Sequence, residues 1–142
     1  MTVDKKYLSG RIQEIRQISK QLSKTVFQHP FNKISEDEKY SLRYHVIVLA
    51  EALGSLCLHI ALEDFEEEPA SYSDCLRLIY TKSLAESIDD LISIIRLRNL
   101  LVHRYWVIDD EKVYQSIKED FHELESLLWR VENKYEISTE DT

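Results

Sequence analysis

Leu42, Val46, Leu49, Leu53, Leu56 and Ile60 recur every three or four positions. That period returns each side chain to one face of an α-helix, and the pattern runs far longer than a strand would sustain. It commits the chain to one long helix with a continuous apolar face, which other elements must cover. Breakers are scarce, with two glycines and two prolines in 142 residues. A parallel-sheet enzyme with phosphate-binding loops would need more glycine, so the fold class expected is all-α.

The same period recurs along the chain. A first helix is expected from about Asp4 to Phe27, with Leu8, Ile12, Ile15, Leu22 and Val26 inward, ended by His29-Pro30. Ser35 followed by Glu38 is a capping-box signature for the start of the second helix. Tyr40, Tyr44 and Ile47 widen its apolar face. Glu51 interrupts it, either as a surface position or as a polar contact to arginines elsewhere. Residues 63–71, EDFEEEPAS, read as a solvated turn, because consecutive acids diverge and no histidine accompanies them to hold a metal.

A short third helix follows, with Ser73 as candidate cap and Cys75, Leu76 and Ile79 inward. The fourth, about Leu84 to Val102, is apolar nearly all round, so it is the centre of a bundle, half of a subunit interface, or both. Asp109 or Asp110 caps a fifth helix running through Val113, Ile117, Phe121, Leu124, Leu128, Val131 and Tyr135. These elements predict an antiparallel four- to five-helix bundle, one domain over residues 1–142, with 137–142 a frayed tail.

Formal net charge is −8, which disfavours broad binding to DNA or RNA. The charge is uneven. Residues 1–33 hold seven Lys/Arg against two Asp/Glu, and residues 34–142 hold eleven against twenty-four. Any RNA contact is therefore local, through the first helix and Arg96, Arg98 and Arg104. Cys57 and Cys75 lack metal-ligand spacing and read as buried thiols of a reducing compartment. No apolar leader opens the chain and its continuous apolar runs are short, so a cytoplasmic protein without membrane association is expected.

One segment carries chemistry, RLRNLLVHRYW at residues 96–106. On a helix Asn99 and His103 are stacked, while Arg98 and His103 are offset by about 140°, a gap the arginine stem can cross. A guanidinium clamps phosphate oxygens through parallel bonds, and an imidazole exchanges protons near neutral pH. Arg98 and His103 are thus the candidate catalytic pair, with Asn99 supporting them. Arg96, Arg104 and Trp106 are candidate RNA or phosphate contacts. No metal or other cofactor is needed if RNA supplies its own 2′-hydroxyl as nucleophile. One histidine does not readily serve as both base and acid, whereas a two-fold dimer would present two. On the residues alone, a helix cap at His103, an arginine paired to an internal acid, and a ligand pocket without catalysis all stay open.

RNLLVHRY resembles the Arg-x4-His-x-Tyr signature of the HepT-like toxins of the HEPN superfamily, with Arg98, His103 and Tyr105 at the motif positions. The following WVIDDEKVY, the apolar second helix and the SYSDCLRLI segment are also similar. The resemblance implies a homodimeric, metal-independent endoribonuclease toxin whose paired motifs form the RNA-cleaving cleft. Arg98 would stabilise phosphate, His103 would perform acid–base catalysis and Asn99 would support both. It also implies a minimal nucleotidyltransferase antitoxin that adenylylates Tyr105, placing phosphates where they fill the anion site and repel RNA. Two other classes remain: a non-catalytic nucleotide- or substrate-binding partner of a nucleotidyltransferase, and a structural dimerisation module.

Overall fold

The computed structural model describes residues 2–103 and 107–138. Among the described residues lie six α-helices and a 3₁₀ turn at Phe31–Lys33, with no strand. Helix α1 spans Lys5–Gln28; the Asp4 carboxylate caps it by accepting the Tyr7 N–H at 3.1 Å. It ends at His29, which is extended before Pro30. A 3₁₀ turn at Phe31–Lys33 leads into α2 (Glu36–Glu63), which opens on the expected capping box between Ser35 and Glu38. The others are α3 (Tyr72–Thr81), α4 (Asp89–His103), α5 (Asp110–Asp120) and α6 (Leu124–Lys134).

Helix α2 is the hub, packing against α1, α3, α4 and α5. Its six periodic aliphatic residues are all buried. By length and composition α2 would suffice to cross a membrane, with mean hydropathy 1.8 over an 18-residue window. Here that apolar surface is covered largely by neighbouring helices. The Asp4 N–H donates to His59 Nε2 at 3.0 Å, so the start of α1 lies beside the end of α2 and the two run antiparallel. At the other end, the Tyr114 hydroxyl of α5 donates to the carbonyls of Val26 and His29, at 2.8 and 2.6 Å, tying α5 to the end of α1. Arg43 of α2 and Asp110 of α5 close that end with a two-bonded ion pair at 2.7 and 2.6 Å.

Four expectations need correction. The single fifth helix is two, α5 and α6, interrupted at Phe121–Glu123, where the Asp90 carboxylate of α4 accepts the His122 N–H at 3.1 Å. The bundle therefore has six α-helices among the described residues rather than four or five. Helix α4 begins at Asp89, not Leu84, because α3 ends in a Schellman-type turn. Ser83 adopts φ 64° and the Leu84 N–H reaches back to the Ile79 carbonyl at 2.9 Å. Ser71, not Ser73, caps α3 by accepting the Asp74 N–H at 3.1 Å. Tyr40 and Tyr44, expected to widen the buried face of α2, are exposed. At the other end Ile137 packs against the core, and residues 139–142 of the expected tail lie outside the described residues.

Candidate functional site

Helices α2 and α4 pack together, and between them the only acid in the apolar stretch of α2 meets the arginine of the α4 motif. Arg98 Nη2 donates to Glu51 Oε1, and Arg98 Nη1 donates to the Asn99 side-chain oxygen at 2.8 Å. The other Glu51 oxygen, Oε2, accepts the Tyr72 hydroxyl at 3.1 Å. Burial, and after it the bond to Glu51, push the Tyr72 phenol above its ordinary range. The Arg98 side chain is 26% exposed and Glu51 42%, so the pair sits at a surface rather than in a sealed core. Among the described residues, two of the five guanidinium N–H groups are used, and Nε is buried without a partner. Each Nη nitrogen has one further N–H with no partner among the described residues.

Arg98 and Asn99 line a cavity of about 300 Å³ together with Ile95, the Ser71 cap of α3 and its first two residues, Tyr72 and Ser73. Its lining includes a cation, an amide and three hydroxyl-bearing residues, a set suited to an anionic group. Tyr72 reaches this position because position 54 is glycine. A β-carbon on Gly54 would lie 2.5 Å from three Tyr72 ring carbons, so the ring occupies space that any other residue on α2 would fill.

The remaining expected site residues are placed as follows. His103 is the last residue of α4, exposed, with no hydrogen-bond or ion-pair partner among the described residues, and it does not line the Arg98 cavity. Arg96 points elsewhere, into a groove of about 620 Å³ between α4 and α5 lined also by Leu97, Leu100, Asp109 and Lys112. Arg96 and Arg98 therefore share no cavity, as a two-residue step on a helix requires. Arg104, Tyr105 and Trp106 lie outside the described residues.

Tyr72 and Gly54 escaped the sequence reading, and Glu51 was left between surface and contact. A polar residue on an apolar helix face was the available signal for Glu51; nothing local marks a tyrosine 21 residues away as its donor. The other histidines serve the bundle: His59 accepts from Asp4 and stacks on Tyr7, and His45 bonds to Ser41. Cys57 and Cys75 are buried free thiols, and contact with Cys75 together with burial pushes the Cys57 thiol up. Asp64 of the acidic segment accepts the Tyr135 hydroxyl at 2.5 Å, and no three metal-ligating side chains converge among the described residues.

Against this geometry, the family described as Ribonuclease HepT-like matches the chain over residues 8–131, from the buried core of α1 to that of α6. The chain belongs to the ribonuclease HepT-like family. The match takes in Glu51, Gly54, Tyr72, Arg98, Asn99 and His103 alike, so the whole network lies inside the HepT-like domain. Comparison with curated proteins gives no match.

Proposed function

We propose that the protein is a metal-independent endoribonuclease, the toxin of a two-component system. The observation that supports this most is Arg98, held by Glu51 and Asn99 yet keeping free N–H groups, five residues before an exposed His103 on the same helix. In the proposed reaction the RNA 2′-oxygen attacks the adjacent phosphorus while a histidine takes the 2′-hydroxyl proton. The bond from phosphorus to the 5′-oxygen breaks and that oxygen takes up a proton. The products are a 2′,3′-cyclic phosphate and a 5′-hydroxyl end. Arg98 stabilises the charge gathering on the non-bridging oxygens, and Asn99 holds the guanidinium.

Base and acid call for two imidazoles, which a homodimer supplies. A surface fit for it runs along α2, where exposed Tyr40, Tyr44 and Leu62 and half-buried Ile47 and Leu58 flank Glu51. In the toxin reading, a minimal nucleotidyltransferase antitoxin adenylylates Tyr105, and the added phosphates compete for Arg98. A second reading is supported by His103 standing outside the Arg98 cavity: a subunit that binds a nucleotide for a nucleotidyltransferase and cleaves nothing.

The deciding experiment is incubation of the purified protein with structured RNA and a chelator. Cyclic-phosphate ends that disappear in His103→Ala, with folding retained, are the expected result. Nucleotide binding without cleavage selects the second reading. Mass spectrometry after co-expression with a neighbouring nucleotidyltransferase tests Tyr105; adenylate found only on another residue rejects that assignment.

A further inference from the structure

Guanidinium and carboxylate groups that meet freely prefer two parallel N–H···O bonds. Arg43 and Asp110 pair in that way in this molecule, through Nε and Nη2 to both carboxylate oxygens. Glu51 and Arg98 do not. Glu51 gives Arg98 one oxygen, Oε1, while Oε2 accepts the Tyr72 hydroxyl at 3.1 Å, a bond that holds the carboxylate turned away from a two-bonded pairing. Tyr72 is itself set by two independent constraints. Its ring rests where Gly54 has no side chain, and its backbone opens α3 directly after the Ser71 cap. The hydroxyl is thus delivered by packing, not by attraction to Glu51 alone.

We propose that Tyr72 is a positioning residue that acts through Glu51: its hydroxyl restrains the carboxylate to a single bond with Arg98, so that guanidinium N–H groups stay available to an incoming phosphate. The proposal deepens the ribonuclease reading and rests on it for the identity of that phosphate. Without the hydroxyl, Oε2 loses its neutral donor, and the nearest replacement is the guanidinium beside it. The carboxylate then closes end-on across Nη1 and Nη2 of Arg98 with both oxygens and competes with the ligand for those N–H groups. A glutamate that orients the arginine when restrained becomes its inhibitor when released.

Tyr72→Phe keeps the ring over Gly54, so the fold should persist, and a thermal melt confirms it before either measurement. The first measurement needs no ligand. Nitrogen-15 NMR of the Arg98 guanidinium should show slower rotation about Cζ–Nη in Tyr72→Phe, as a two-bonded pair demands. The second is the affinity for a 2′-O-methyl oligoribonucleotide, which cannot be cleaved through its own hydroxyl. Tyr72→Phe should bind about tenfold more weakly, the size of one hydrogen bond to a charged group. The double variant Tyr72→Phe/Glu51→Gln should bind more tightly than Tyr72→Phe alone, since a neutral amide cannot act as the competing anion. Unchanged Arg98 rotation in Tyr72→Phe overturns the proposal, and so does a double variant as weak as the single one, which would mean that Tyr72 touches the ligand directly. Slowed rotation with no oligonucleotide binding by any form, wild type included, upholds the Tyr72–Glu51 coupling and removes RNA as the ligand.

Discussion

The Tyr72 ring occupies the space that a β-carbon on Gly54 would need, 2.5 Å from three ring carbons. This contact joins α2 to α3 directly behind the Glu51–Arg98 pair, so packing in the bundle and charge at the surface are connected through one aromatic residue. A glycine inside a long helix costs about 1 kcal/mol relative to alanine, and here that cost yields a seat for the ring.

Gly54→Ala therefore sets two effects against each other. Better helix propensity offers about 1 kcal/mol, while forcing a methyl group into a filled space costs roughly 1–3 kcal/mol. The clash should win. Calorimetry should give a lower Tm, and Arg98-dependent ligand binding should weaken as the ring is pushed off Glu51. A Tm at or above wild type would mean that the ring moves aside freely.

Arg98→Ala and His103→Ala should separate stability from activity. His103 is exposed and unpaired among the described residues, so its loss should change stability by no more than about 0.5 kcal/mol. Losing Arg98 leaves Glu51 without its cation, but that carboxylate is 42% exposed and rehydrates, at a cost of about 1 kcal/mol. Cleavage should fall by about 10²–10⁴ in either variant, as for loss of a positioned acid–base or charge-stabilising group. Denaturant unfolding beside RNA cleavage checks both halves.

Arg16 of α1 holds α6 through two glutamates of unequal importance. It donates to both oxygens of Glu132, at 2.6 and 2.7 Å, and also to Glu125. These bonds, to Glu132 first and Glu125 second, push the Arg16 guanidinium above its ordinary range. The Glu132 side chain is 9% exposed and Glu125 68%. Arg16→Ala strands the buried carboxylate and should cost roughly 2–3 kcal/mol, whereas Glu125→Ala should stay within about 1 kcal/mol. Equal losses in urea melts of the two variants would contradict this ordering.

Tyr135 should make stability sensitive to alkali. Burial, then its bond to Asp64, raises the phenol in the folded protein. In an unfolded chain the same group ionises near its ordinary value of about 10. Its contribution is fully present below that value and is lost as pH rises toward the folded value, because only the unfolded state gains by releasing the proton. Tyr135→Phe should start less stable at pH 7 and lose less between pH 9 and 11. Parallel curves for the two proteins across that range would reject the assignment.

The helices themselves are legible in the sequence. Ser35 caps α2 as expected, Asp109 is the one of two candidate residues that caps α5, and the aliphatic residues at periodic positions of α1, α2 and α4 are largely buried. These features depend on side-chain period and on neighbours within one turn, which a linear chain displays directly. The candidate site is legible as a set of residue types on α4, with Glu51 of α2 left open as a contact. Tyr72 and Gly54, which fix how Glu51 meets Arg98, come from other helices and are not legible.

The chain alone settled helix positions, capping and the inward faces, since their causes lie within a few residues of each other. Only packing of the bundle decided that Arg98 pairs with Glu51, 47 positions away, and that Tyr72 holds the other carboxylate oxygen. It also decided that Asp90 takes the His122 N–H and that the periodic run from Val113 to Tyr135 is broken there into α5 and α6. Partners at such separations are chosen by which helix faces meet, and periodicity along one helix carries no information about the side chain waiting on the next.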